Sequence, residues 1–151
     1  MRAFMTILTS LITVVTTLAA DPVHWEFTAE DRPDGTVLVR LHAHVDEGWH
    51  IYGLWLPRND GPLATEVRVQ EDERYALKEV HEPRATEAVD VNFGMVVRYH
   101  SGETEFTAVI ERLGDGPFKV TGEVEYMVCN DSTCLPPVAI PFAVPVPAPI
   151  K

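Results

Sequence analysis

Cysteine is nearly missing from this chain: of its 151 residues only Cys129 and Cys134 carry thiols. A disulfide tying two sheets together, as in antibody domains, needs cysteines many tens of residues apart, so that arrangement is excluded. Positive charge is scarce as well. Twelve Lys and Arg stand against 23 Asp and Glu, a formal charge of −11, which argues against nucleic acid or anionic lipid as a partner. After the first twenty residues no apolar run is long enough to span a membrane, and no segment carries the 3.6-residue period of an amphipathic helix. The chain also lacks a glycine-rich phosphate loop and any credible Ser-His-Asp set.

What is present begins with an export pattern. Met1-Arg2 gives a positive start, Ala3 to Leu18 is uncharged and largely apolar, and Thr17-Leu18-Ala19-Ala20 offers small residues for cleavage. Sixteen uncharged residues that include six threonines or serines fall short of the ~20 strongly apolar residues of a permanent span. The pattern predicts a cleaved signal peptide at 1–20, a mature chain without membrane insertion, and an oxidising compartment. One domain is expected over 21–145, with a proline-rich tail at 146–151. With 46% hydrophobic and 23% charged residues it can bury a core without help from a disulfide.

The dominant signal in the mature chain is alternation with period two, the mark of strands with one buried face. Val23, Trp25 and Phe27 alternate with His24, Glu26 and Thr28. Val37, Val39, Leu41, Ala43 and Val45 share a face, with Arg40, His42, His44 and Asp46 opposite, after a turn at Asp34-Gly35. Further strands are predicted at Val67 to Val69, Tyr75 to Val80, Met95 to Tyr99, Glu105 to Ile110, Phe118 to Val128 and Val138 to Val144. Ser101-Gly102 reads as a hairpin turn. Arg58 to Pro62 and Glu82 to Asn92 read as long loops. Pro141 and Pro145 cannot donate to a ladder, which places the last strand at a sheet edge. Seven or eight short strands predict an all-β, immunoglobulin-like antiparallel sandwich, with a closed barrel as the alternative.

The two cysteines lie four residues apart, after the strand that ends at Val128 and before Leu135-Pro136-Pro137, which forces an extended exit. By parity Val120, Val124, Tyr126 and Val128 face the core, and Cys129 is expected to emerge on the outside with Glu123, Glu125 and Met127. As a staple, so short a loop restricts the unfolded chain by only ~2 kcal/mol, less than the roughly 3 to 5 of longer loops. As a redox pair it has what exchange requires, two thiols in reach of one another with one of them open to attack. No cation adjoins the pair in sequence, while Asp131, Glu123 and Glu125 disfavour a thiolate if close by.

Other constellations have plainer explanations. His42-x-His44 places two imidazoles on one strand face, and with His24, His50, Met95 or Met127 it suggests a copper site. Two exposed histidines on a solvated face are the commoner case, and no third ligand is fixed by spacing, so no metal is expected. Trp49 and Tyr52 are expected to pack the end of the sandwich, with Tyr52 able to border the thiols.

Four segments carry a resemblance: Glu47-Gly48-Trp49-His50-Ile51-Tyr52, Gly61-Pro62-Leu63-Ala64-Thr65, Asn92-Phe93-Gly94, and Cys129-Asn130-Asp131-Ser132-Thr133-Cys134-Leu135-Pro136-Pro137. In this order, over nearly the whole mature chain, they resemble the N-terminal periplasmic domain of DsbD, also known as the disulfide bond corrector domain. The resemblance implies a periplasmic, immunoglobulin-like module that passes electrons by thiol–disulfide exchange, without a cofactor, between a membrane thiol reductant and thioredoxin-fold proteins. It implies a disulfide between Cys129 and Cys134, with Cys134 as the exchanging thiol, Cys129 as the resolving one, and Phe93 as the aromatic tip of a shielding loop. Two departures stand out: the cysteines are separated by four residues where well-known members have five, and the sequence lacks a membrane channel and a thioredoxin-like domain. A separate membrane reductant is therefore expected. The competing class is a non-catalytic immunoglobulin-like binding module, or a copper-handling one, with a passive disulfide.

Overall fold

Alternation in the sequence becomes strand in the structure almost wherever it occurs. The computed structural model describes residues 21–149, so the predicted signal peptide lies outside the described residues. Eleven strands follow one another, with no helix among the described residues. They are β1 (Val23–Asp31), β2 (Thr36–Val45), β3 (His50–Tyr52), β4 (Glu66–Val69), β5 (Tyr75–His81), β6 (Thr86–Asp90), β7 (Met95–His100), β8 (Gly102–Arg112), β9 (Phe118–Tyr126), β10 (Val128–Cys129) and β11 (Val138–Val146). All pairings are antiparallel.

One layer has the order β1-β2-β8-β5. The other is built from β11-β9-β4, continued through β9 and β10 into β10-β3-β7-β6. Between them lies the core, where Val37, Val39, Leu41 and Ala43 of β2 and Phe106, Ala108 and Ile110 of β8 meet Val120, Val124 and Tyr126 of β9, all fully buried. Each large apolar side chain there contributes about 1.5–3 kcal/mol by leaving water. The result is the immunoglobulin-like antiparallel sandwich that the patterning predicts. The Asp34-Gly35 turn holds as expected: Gly35 has φ of +83°, and Asp34 accepts hydrogen bonds from the Thr36 amide and hydroxyl. On β9, Gly122 leaves room for its two neighbours in the same sheet, since a Cβ there would sit 2.6 Å from the ring of Phe142 on β11 and against the carbonyl oxygen of Arg68 on β4.

Three local expectations need correction. Ser101-Gly102 is not a hairpin turn: β7 pairs with β3 and β6, whereas β8 pairs with β2 and β5, so the two residues carry the chain from one layer to the other. Gly102 makes that corner with φ of +64°. The stretch Glu82 to Asn92 is not all loop. It contains β6, an edge strand whose first four residues are exposed, so it has no alternation to read. The three residues of β3 are too few to show a period. The strand expected over Phe118 to Val128 breaks at Met127, where the chain leaves the β11-β9-β4 sheet and enters the smaller one as β10. β11 does lie at an edge, as its prolines require, and runs on to Val146, which pairs with Phe118.

Candidate functional site

The break at Met127 builds the site. In β10, Val128 pairs with Ile51 and Cys129 with His50. Paired residues on antiparallel strands share a face, so the small sheet has two faces of different character. One carries Val128 and Ile51 into the main core. The other carries Cys129, His50, Tyr52, Tyr99, Val97, Met95 and Asp90, and a second apolar cluster forms there from Tyr52, Met95, Val97 and Cys129, with Leu56, Tyr99, Met127 and Cys134 packed against it.

Parity therefore points Cys129 away from the main core, as expected, but not into water: it is fully buried, because the second cluster covers it. This corrects the prediction that it emerges on the outside. Cys134 is half-buried. The two are bonded, with Sγ atoms 2.01 Å apart and Cα atoms 4.0 Å apart. Their loop is closed by backbone bonds from Asn130 N to Thr133 O and from Leu135 N to Val128 O, both 2.9 Å. The side-chain oxygen of Asn130 accepts the amides of Ser132 and Thr133.

A turn from β6 to β7 stands over this floor. The Gly94 amide donates to the Asp90 carbonyl at 2.8 Å, and Gly94 has φ of +63°, the left-handed conformation that favours glycine. The Asp90 side chain, 1% exposed, holds the turn from beneath. Its Oδ1 accepts the amides of Asn92 (2.8 Å) and Phe93 (3.2 Å), and its Oδ2 accepts the Tyr52 hydroxyl at 2.6 Å and lies 3.4 Å from His50 Nε2. Asn92 Nδ2 donates to the Asn130 carbonyl at 2.8 Å, which ties the turn to the cysteine loop. Phe93, 37% exposed, sets its ring edge-on to Tyr52 with centroids 6.4 Å apart.

Electrostatics follow from these contacts. Burial alone would raise the Asp90 carboxyl, but the hydrogen bonds from Tyr52, the two amides and His50 outweigh it and hold the group below the usual carboxylate range. Burial, then the bond to Asp90, pushes the Tyr52 phenol far above its ordinary value. The floor beneath the disulfide thus holds an ionised carboxylate and a phenol that remains protonated. A cleft of about 290 Å³ opens beside it, lined by Trp49, His50, Asp90, Val97, Tyr99 and Asp131 among others.

The remaining predicted residues fall elsewhere. His42 Nε2 and His44 Nδ1 lie 2.6 and 2.5 Å from the two oxygens of Glu103, on the outer face of the β1-β2-β8-β5 layer. Among the described residues no group of three or more histidines, cysteines or carboxylates is arranged to hold a metal ion. Glu123 and Glu125 both accept hydrogen bonds from Arg68. Trp49 packs against the main core, and Tyr52 borders Cys129 in the second cluster. Sequence reasoning missed Asp90. The available signal was its place at the start of an Asp-x-Asn-Phe-Gly turn, where an aspartate side chain satisfies amides two and three residues on.

Comparisons with known proteins agree with this geometry. A family model for the N-terminal domain of the thiol:disulfide interchange protein DsbD matches residues 15–144. A search of curated proteins gives no match. Among solved structures the fold is similar to the reduced DsbD N-terminal domain of Neisseria meningitidis, with TM-score 0.57 and 17% identity over 84% of this chain and 87% of that one. It is similar to the N-terminal periplasmic domain of ScsB from Proteus mirabilis, with TM-score 0.59 and 18% identity, covering 89% of this chain and 51% of that one. A third match is a chain from the complex between the DsbD and PilB N-terminal domains of Neisseria meningitidis, with TM-score 0.55 and 17% identity over 80% of each chain.

Proposed function

Since the chain belongs to the family of DsbD N-terminal domains, we propose that it is a periplasmic thiol–disulfide exchange module working through Cys129 and Cys134. The observation that carries this is the asymmetry of the pair: Cys129 is fully buried against Tyr52 and Met95, and Cys134 is half-buried in a short loop. An attacking thiolate reaches Cys134 first, and Cys129 waits behind it to resolve the mixed disulfide. Phe93, held on its turn by Asp90, shields the bond until a partner displaces it.

The partners are thioredoxin-fold proteins of the periplasm on one side and a membrane thiol reductant on the other. Support for such pairing comes from the related Neisseria meningitidis DsbD domain, which forms a complex with the N-terminal domain of PilB. Residues 1–20 act as a cleaved signal peptide. No helix among the described residues is long and apolar enough to cross a membrane. Exchange needs no cofactor, since both electrons travel in the sulfur–sulfur bond.

Trapping tests this directly. A Cys129→Ala variant expressed in the periplasm should accumulate mixed disulfides through Cys134, visible as adducts on a non-reducing gel and lost on reduction. A Cys134→Ala variant should accumulate few or none. If neither variant forms adducts, the disulfide is passive and the competing binding-module class stands.

A further inference from the structure

We propose that His50 is a positioning residue for the resolving thiol: its positive charge favours the Cys129 thiolate and so sets the pH dependence of partner release. The role deepens the exchange reaction proposed above and rests on it. Three observations carry it. Cys129 pairs with His50 across β10 and β3, which places their Cβ atoms about 4.5–5.5 Å apart on one face. The imidazole is held in place: it lies 5.0 Å from the Tyr99 ring, 5.3 Å and edge-on to Tyr52, with only 16% of the side chain exposed. Its Nε2 lies 3.4 Å from both Asp90 Oδ2 and the Tyr52 hydroxyl.

The charges around it make the group necessary. Facing His50 are Tyr52 on its own strand, Tyr99 on β7, Asp90 at the end of β6, Asp131 in the cysteine loop across the cleft, and the cysteine pair itself. Both carboxylates oppose ionisation of a thiol beside them, and burial of Cys129 opposes it further. The arginines of β7 and β4 do not answer this. Arg98 is bound to Glu82 on the opposite face of β7, and Arg68 is bound to Glu123 and Glu125. Among the described residues His50 is then the one on the Cys129 face that can supply a positive charge, and histidine changes charge between about pH 5 and 8. Protonated, it offsets Asp90 and pairs with the thiolate; uncharged, it leaves Cys129 to ionise against a negative field.

The step it acts on is the second of two. In the reduced protein the Cys134 thiolate attacks a partner disulfide, forming a bond from Cys134 to one partner sulfur and expelling the other as a thiolate. Cys129 gives its proton to water and attacks Cys134 Sγ. The Cys129–Cys134 bond forms as the bond to the partner breaks, and the partner sulfur leaves as a thiolate that takes a proton. The pair loses two electrons and the partner disulfide gains them.

Stopped-flow reaction of the reduced protein with dithiobis(nitrobenzoate) separates the steps, because attack by Cys134 releases one coloured thiolate and resolution by Cys129 releases the second. Measured from about pH 5 to 9, His50→Gln should move the midpoint of the second phase to higher pH and slow it roughly three- to tenfold near neutrality. The alkaline plateau and the first phase should hold. Superposable profiles for the two proteins overturn the role. So does a plateau lowered with an unmoved midpoint, which is the signature of damaged packing. Should the Cys129→Ala protein take up no nitrothiobenzoate at all, the exchange reaction itself fails and the role of His50 falls with it.

Discussion

Cys129 and Cys134 carry the same side chain in unlike surroundings, and the difference decides their order of use. Cys129 is walled in by Tyr52, Met95 and Val97, while Cys134 sits at the loop where solvent reaches it. After reduction, a small alkylating agent in limiting amount should label Cys134 ahead of Cys129, as peptide mapping would show. Equal labelling would mean that the burial of Cys129 does not outlast its disulfide. Much of this was legible in the sequence: spacing placed the cysteines in reach of one another, and parity put Val128 in the core with Cys129 on the other side. What parity does not encode is the second cluster. Its members arrive from β3 and β7, dozens of residues away, and Asp90 takes its role from a contact with Tyr52 that no local pattern marks.

At the scale of elements, the small sheet that frames the site is fixed by one buried carboxylate. Glu82, in the connection between β5 and β6, meets Arg98 and His100 of β7 and accepts the Leu54 amide. Gly53 makes room for it, since a Cβ there would lie 2.7 Å from a Glu82 oxygen. Burial alone would raise this carboxyl, but hydrogen bonds from His100, the Leu54 amide and Arg98 hold it below its ordinary 4.5. A lowered folded pKa contributes stability that is present above the unfolded value and is lost as pH falls through the folded one. Glu82→Gln should therefore cost about 3–5 kcal/mol at neutral pH, by taking from His100 and Arg98 the buried carboxylate they share, and the gap to the parent protein should close below pH 4.5. Urea unfolding at several pH values measures it. Here the sequence is least explicit. β6 is an exposed edge strand, and Ser101-Gly102 looks like a hairpin turn because two strands flank it, although those strands belong to different layers.

For the molecule as a whole, the sandwich was legible because its long strands alternate cleanly. Both faces of β2 and β9 can be read from sequence, and the edge place of β11 from Pro141 and Pro145. That core contains neither cysteine, so breaking the bond should lower stability by only ~2 kcal/mol and leave the domain folded. A bond that adds so little to the fold and joins a fully buried cysteine to a half-buried one is suited to exchange. The most direct test is the reduction potential of the Cys129–Cys134 pair, titrated against a thiol buffer with the reduced fraction read by alkylation. An exchange module requires a potential clearly above about −300 mV, with the sandwich still folded in the reduced state. A value far below about −300 mV, where structural disulfides lie, would contradict exchange as the work of this domain.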